Sequence, residues 1–188
     1  TVFVICGFPA YPSGKVTNPV YKGKLFWVEK TEEITVIRLR LLPLKSKDYL
    51  RRLILFINFI FLSLIYMPKI LRISSRIVLV YALAPILFSS FIGFIYSKAT
   101  KSFFVYEASA LWPEELVAFR NLAFIVVSFG TFLAKISYRL PDMIVVISDF
   151  AAKYIVNNYK HDAIVYVLPI GVDPSRFPLK TKETSRRE

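Results

Sequence analysis

A chain of 188 residues makes one domain of generous size, able to bury a full hydrophobic core. Apolar residues make up 55% of it and the mean hydropathy is +0.52, which raises the question of lipid contact, while a formal charge of +12 directs it toward phosphates of nucleic acid, anionic lipid or diphosphate-linked substrates. One cysteine, Cys6, and one histidine, His161, exclude an internal disulfide, and no metal cluster, Ser-His-Asp set or Cys-His pair can be assembled, so a reducing compartment fits and any chemistry is not carried by a self-contained catalytic set.

In chain order, residues 1–6 predict a buried strand, with Cys6 as a small hydrophobe, ended by Gly7-Phe8-Pro9 and the turn-rich Tyr11-Pro12-Ser13-Gly14. No basic leader precedes this first apolar run, so no signal peptide is read there. A second short strand is expected over residues 35–39. Ser46 and Asp48 are plausible caps for a helix over residues 49–67, with Pro68 as its stop. That helix carries Arg51 and Arg52 in its first turn and is then apolar all round, broken only by Asn58 and Ser63, the pattern of a deeply buried or lipid-touching helix.

Residues 77–97 hold no charge and are long enough to cross a bilayer. Yet the first half is β-branched, Pro85 falls in the middle and the second half has helical composition, so a strand, a turn and a helix fit better. A strand over 102–107 follows, then a turn at Leu111-Trp112-Pro113 and a helical stretch over 114–138. Pro141-Asp142 leads into a strand over 143–147. Ser148 or Asp149 caps a helix to residue 158, His161 sits in a solvated loop, and the last strand covers 163–168. This alternation predicts an α/β fold with a doubly wound parallel sheet. Residues 179–188 are charged and aperiodic, as a linker is.

The richest segment is Val167-Leu168-Pro169-Ile170-Gly171-Val172-Asp173-Pro174-Ser175-Arg176, followed by Phe177-Pro178. It reads as the exit of a buried strand into a stiff connector, turning at Gly171, where a positive φ costs nothing. It closely resembles the "iPNGVD…F.P" segment that ends the N-terminal domain of family-4 glycosyltransferases, with Ile170 where the family has Asn. Three more segments match in order. Residues 7–15, with Tyr21-Lys22-Gly23 beyond them, resemble the "gfPnYPtGk…gYk" loop of the polysaccharide-building, N-acetyl-fucosamine transferase-like subgroup. Residues 106–114 are similar to its "evRDlWPE", with Ser109 and Ala110 replacing Arg-Asp, which puts that pair's contacts in doubt. Residues 141–148 look like "aD.iiavS". Together the matches cover nearly the whole chain.

The resemblance implies a Rossmann-like, acceptor-binding N-terminal domain over residues 1–178 and the start of an interdomain linker over 179–188. It belongs to a retaining, nucleotide-sugar-dependent enzyme of the two-domain B-type fold, a hexosyl- or N-acetylhexosaminyl-transferase. The donor nucleotide sugar would be held mainly by a further C-terminal domain, so the chain needs no cofactor of its own and is inactive alone. Read against the family, residue 1 falls in the second strand. The central first strand would then be missing, leaving two neighbours with unpaired backbone.

In such a sheet ligands sit beyond the carboxyl ends of the strands. The acceptor-binding candidates are therefore Tyr11, Gly14, Lys15, Trp112, Glu114 and Glu115, with Ser148, Gly171 and Asp173 facing the interdomain cleft. Gly14 lets backbone approach a ligand, Lys15 offers a phosphate partner, Trp112 an apolar face, and the glutamates hydroxyl partners. Trp112 suits a core equally well, and Glu114 suits the first turn of the helix it begins. No catalytic residue and no metal site is assigned. Lys45, Lys47, Arg51, Arg52, Lys69, Arg72 and Arg76 flank the apolar helix, and Arg51, Arg52, Lys69 and Arg72 are the membrane-surface candidates. The expected place is peripheral, on the cytoplasmic face of the cell membrane, with a lipid-linked or sugar acceptor, anionic lipid and the donor-binding domain as partners. The alternatives are a small integral membrane protein with spans near 53–67 and 77–97, and a nucleic-acid module. The second rests on charge alone, lacks any recognised motif, and leaves nucleic acid outside the expected partners.

Overall fold

Short β-branched runs and longer apolar helical runs alternate along the chain, and the computed structural model arranges them as two separate sheets held by common helices. It describes residues 1–10, 15–43, 49–74, 76–83, 87–111, 124–159, 164–171 and 173. The strands are β1 (Val2–Gly7), β2 (Phe26–Lys30), β3 (Ile34–Leu39), β4 (Leu79–Leu83), β5 (Phe103–Ala108), β6 (Met143–Val146) and β7 (Ile164–Val167). The helices are α1 (Tyr49–Ile73), α2 (Leu87–Thr100), α3 (Phe124–Ser137) and α4 (Asp149–Tyr159). The expected caps Ser46 and Asp48, the first part of the 114–138 helix, His161 and the tail lie outside the described residues.

The four-stranded sheet runs in the order β4-β5-β6-β7 and is parallel throughout, an α/β architecture compatible with a Rossmann-like fold. A single doubly wound sheet is not what forms, however. β1, β3 and β2 make a second, three-stranded sheet in that order, and in it β2 runs antiparallel to β3. The sequence hides β2 because its turn to β3 has none of the usual Gly, Asn or Pro signals. Thr31 closes the turn instead: its N–H donates to the Ile34 carbonyl at 2.9 Å and its hydroxyl accepts the Ile34 N–H at 3.1 Å.

The helix expected to stop at Pro68 continues to Ile73. A mid-helix proline costs about 3 kcal/mol. Here Tyr66, Met67, Ile70 and Leu71 all pack on the cluster of Ile37, Ile92 and Tyr96, and their burial carries the helix past an exposed Pro68. The uncharged run 77–97 divides into β4 and α2, which removes the second of the two spans considered.

Two apolar clusters hold the molecule together. In one, Phe104, Tyr106, Ile144 and Val146 of the parallel sheet meet Ala134, Tyr138, Ala151 and Ile155 from the α3 and α4 side. In the other, Ile37 and Ile5 of the smaller sheet and Val80 of β4 meet Ile70 of α1 and Ile92 and Tyr96 of α2. Tyr96 also donates its hydroxyl to the Ser63 carbonyl at 2.9 Å, joining the two helices.

Candidate functional site

Parallel strands send their connections out at one edge, and β5, β6 and β7 do so side by side. The segments that follow them carry three of the four sequence motifs. At the opposite end Asp142 fixes the register. Its carboxylate accepts the Phe104 N–H at 2.8 Å and its own N–H donates to the Phe104 carbonyl at 2.9 Å, so this motif aspartate aligns β5 with β6.

At the carboxyl edge Ser148 follows β6 and begins α4. Its hydroxyl accepts the Ala151 N–H at 3.3 Å and its carbonyl accepts the Ala152 N–H at 3.1 Å, the geometry of an N-cap. Next to it, the Leu168 N–H donates to the Val146 carbonyl at 2.8 Å, so the exit of β7 is bonded to β6. Ser148 and the start of the connector thus lie on neighbouring strands, with Gly171 and Asp173 exposed beyond. Phe150, Leu168 and Ile170 make this rim apolar, with Ile170 75% exposed. Gly171 is not in the left-handed region, which only Gly23 and Lys101 occupy among the described residues. The expected positive φ is therefore absent, and a Cβ at Gly171 would meet only open space.

Glu107, near the end of β5, belongs to the same edge and was not among the sequence candidates. It accepts the Tyr81 hydroxyl of β4 at 2.5 Å. Desolvation, then this hydrogen bond and the Glu107 charge, push the Tyr81 phenol up to about 12. The available signal was a carboxylate near the end of an otherwise apolar strand, two residues before Ser109.

The loop after β1 belongs to the other sheet. Phe8 donates its N–H to the Leu39 carbonyl at 3.0 Å and stacks on Tyr21 with ring centroids 4.8 Å apart. The first motif's two parts therefore meet through these rings. Tyr21 donates its hydroxyl to Glu29, which raises the phenol pKa and lowers that of the carboxyl. Arg38 bridges Glu29 at 2.9 Å and reaches the Cys6 sulfur at 3.5 Å. Burial is the main cause that pushes the Cys6 thiol up, so it is not an activated nucleophile. Lys15 is exposed after this loop. Tyr11, Gly14, Trp112, Glu114 and Glu115 lie outside the described residues. Among the described residues no three His, Cys, Asp or Glu side chains converge to hold a metal ion.

The helix α1 carries the membrane-surface candidates. Its exposed residues Arg51, Ile54, Ile57, Phe61, Ile65, Lys69 and Arg72 recur at helical spacing and share one face, while Ser63 and Ile70 are buried on the opposite one. Lys69 lies 4.2 Å over the Phe26 ring. The side chain of Arg52 lies outside the described residues. Ile54–Ile73 is long and apolar enough to cross a membrane, and only 11% of its most apolar stretch is buried. No protein-family model and no curated protein matches this chain.

Proposed function

We propose that the chain is the acceptor-binding domain of a retaining, nucleotide-sugar-dependent family-4 glycosyltransferase. It works at the cytoplasmic membrane face on a lipid-linked sugar, in polysaccharide or glycolipid synthesis. One observation carries this reading: three motif segments include the carboxyl ends of the adjacent parallel strands β5, β6 and β7, the edge at which α/β sheets bind ligands. In this reading Trp112, Glu114 and Glu115, which come after β5 in the sequence, serve the acceptor, and so does Glu107 of β5, held by Tyr81. Lys15 and Tyr11 fall in the sequence between Phe8 and Tyr21, whose rings stack. The apolar rim of Phe150, Leu168 and Ile170 suits contact with a donor-binding domain.

The exposed face of α1 supports a membrane-surface position. Its other face packs on β3 and α2, so lipid cannot surround the helix, and lying flat exposes apolar and basic residues to one leaflet together.

The test compares vesicles of one lipid composition with and without a polyprenyl-diphosphate N-acetylhexosamine. The lipid-linked sugar is expected to tighten binding about tenfold, roughly 1.4 kcal/mol, and Trp112→Ala to abolish that gain. Calorimetry with a nucleotide sugar should show no micromolar binding. Equal binding to both vesicles, or micromolar nucleotide-sugar binding, would overturn the assignment.

A further inference from the structure

The two faces of the smaller sheet differ in character. Ile5, Phe26 and Ile37 turn toward α1, and strand alternation puts Cys6, Trp27, Glu29 and Arg38 on the opposite face. Arg38 lies across from Cys6 on one side and from Trp27 on the other. The Arg40 N–H donates to the Leu25 carbonyl at 3.0 Å, which carries the β2–β3 ladder one pair past the end of β3. Arg40 therefore stands on the Arg38 face, two residues on and about 7 Å along the strand. Lys24 holds its ammonium 3.2 Å from the centre of the Trp27 ring, on the cross-strand neighbour of Arg38. Three cations thus gather at the carboxyl end of this face.

Arg38 is held in place. Its Nε donates to one Glu29 oxygen at 2.9 Å, Tyr21 donates to the other, and its Nη1 reaches the Cys6 sulfur at 3.5 Å. Its Nη2 has no partner among the described residues, and the side chain is still 22% exposed. Glu29 is the only acidic residue in the three strands and is already taken by Arg38 and Tyr21. Among the described residues no carboxylate pairs with Lys24 or Arg40. Like charges set side by side repel, and an anion between them removes that cost. The Tyr21 ring, 5.9 Å from the Arg38 guanidinium and stacked on Phe8, walls one side of the cluster.

We infer that Lys24, Arg38 and Arg40 form a binding site for a phosphoryl group, carried by a diphosphate or a phosphate monoester. Glu29 and Tyr21 position the Arg38 fork so that its remaining nitrogen meets a phosphate oxygen. A carboxylate brings a single charge and would leave two of the three cations unmatched. The site lies on the smaller sheet and does not depend on the proposed enzymatic role.

The experiment titrates the full chain with inorganic pyrophosphate, with sulfate at equal ionic strength as a control, by calorimetry and by following the Trp27 indole resonance. Saturable pyrophosphate binding is expected, with the Trp27 signal shifting as the Lys24 ammonium leaves the ring. Lys24→Gln and Arg40→Gln, both at the margin of the sheet, should each weaken binding about tenfold, the worth of one charge-assisted hydrogen bond. Arg76→Gln, an exposed cation beyond α1, should leave it unchanged. Water-soluble dioctanoyl phosphatidic acid forms a second arm: tighter binding than pyrophosphate, lost in the same two variants, assigns the site to a lipid headgroup, and weaker binding assigns it to a free phosphorylated ligand. No saturable binding, equal binding of sulfate, an unmoved Trp27 signal, or an equal loss with Arg76→Gln would overturn the inference.

Discussion

Gly93 sets how closely α2 approaches the parallel sheet. A Cβ there would lie 2.3 Å from the Phe104 ring and 3.1 Å from the Ala82 Cβ. Alanine gains about 1 kcal/mol in helix propensity, but overpacking a closed core costs about 1–3 kcal/mol, and Phe104, 1% exposed, has nowhere to go. Urea denaturation of Gly93→Ala should therefore show net destabilisation, relieved when Phe104→Leu is added; an unchanged midpoint would place Phe104 elsewhere. The tyrosines give the pH response. Burial raises the phenol pKa of Tyr96 and Tyr106 above the usual 10, and Tyr81 is pushed up to about 12. Above pH 10 the unfolded chain releases these protons while the folded chain keeps them. Their contribution is complete below the unfolded pKa and is lost as pH rises through the folded one. Stability should fall on the alkaline side, and Tyr106→Phe should flatten that fall in a denaturation series from pH 9 to 12.

Among the elements, α1 has the clearest consequence. Its exposed face sets Ile54, Ile57, Phe61 and Ile65 between Arg51 at one end and Lys69 and Arg72 at the other. Each basic residue near anionic lipid contributes about 1 kcal/mol, within a screening length of about 10 Å at 0.1 M salt. Reversing Arg51, Lys69 and Arg72 to Glu should weaken binding to anionic vesicles by about 3 kcal/mol at low salt. Co-sedimentation that is unaffected, or equal on neutral vesicles, would make the face a solvated surface. Six of the seven strands could be read as β-branched runs, but β2 could not, because Thr31 supplies its turn through a hydroxyl. Pro68 misled for a related reason: local chemistry marks a helix stop, and tertiary burial of Ile70 overrides it. At the site, sequence offered Ser148 or Asp149 as the cap of α4, of which Ser148 makes the capping bond, and passed over Glu107, whose partner Tyr81 lies on another strand.

For the whole molecule, alternation of strands and helices made the α/β class legible, while the division into two sheets depends on pairings between distant segments that no local pattern records. Among the described residues no ladder links β1 and β4, and Ile5 and Val80 instead touch a shared side-chain cluster. Backbone ladders resist tension because several bonds must break together, whereas apolar contacts let go one at a time. Under load drawn across the strands, the molecule would therefore part along this line, with each sheet leaving intact.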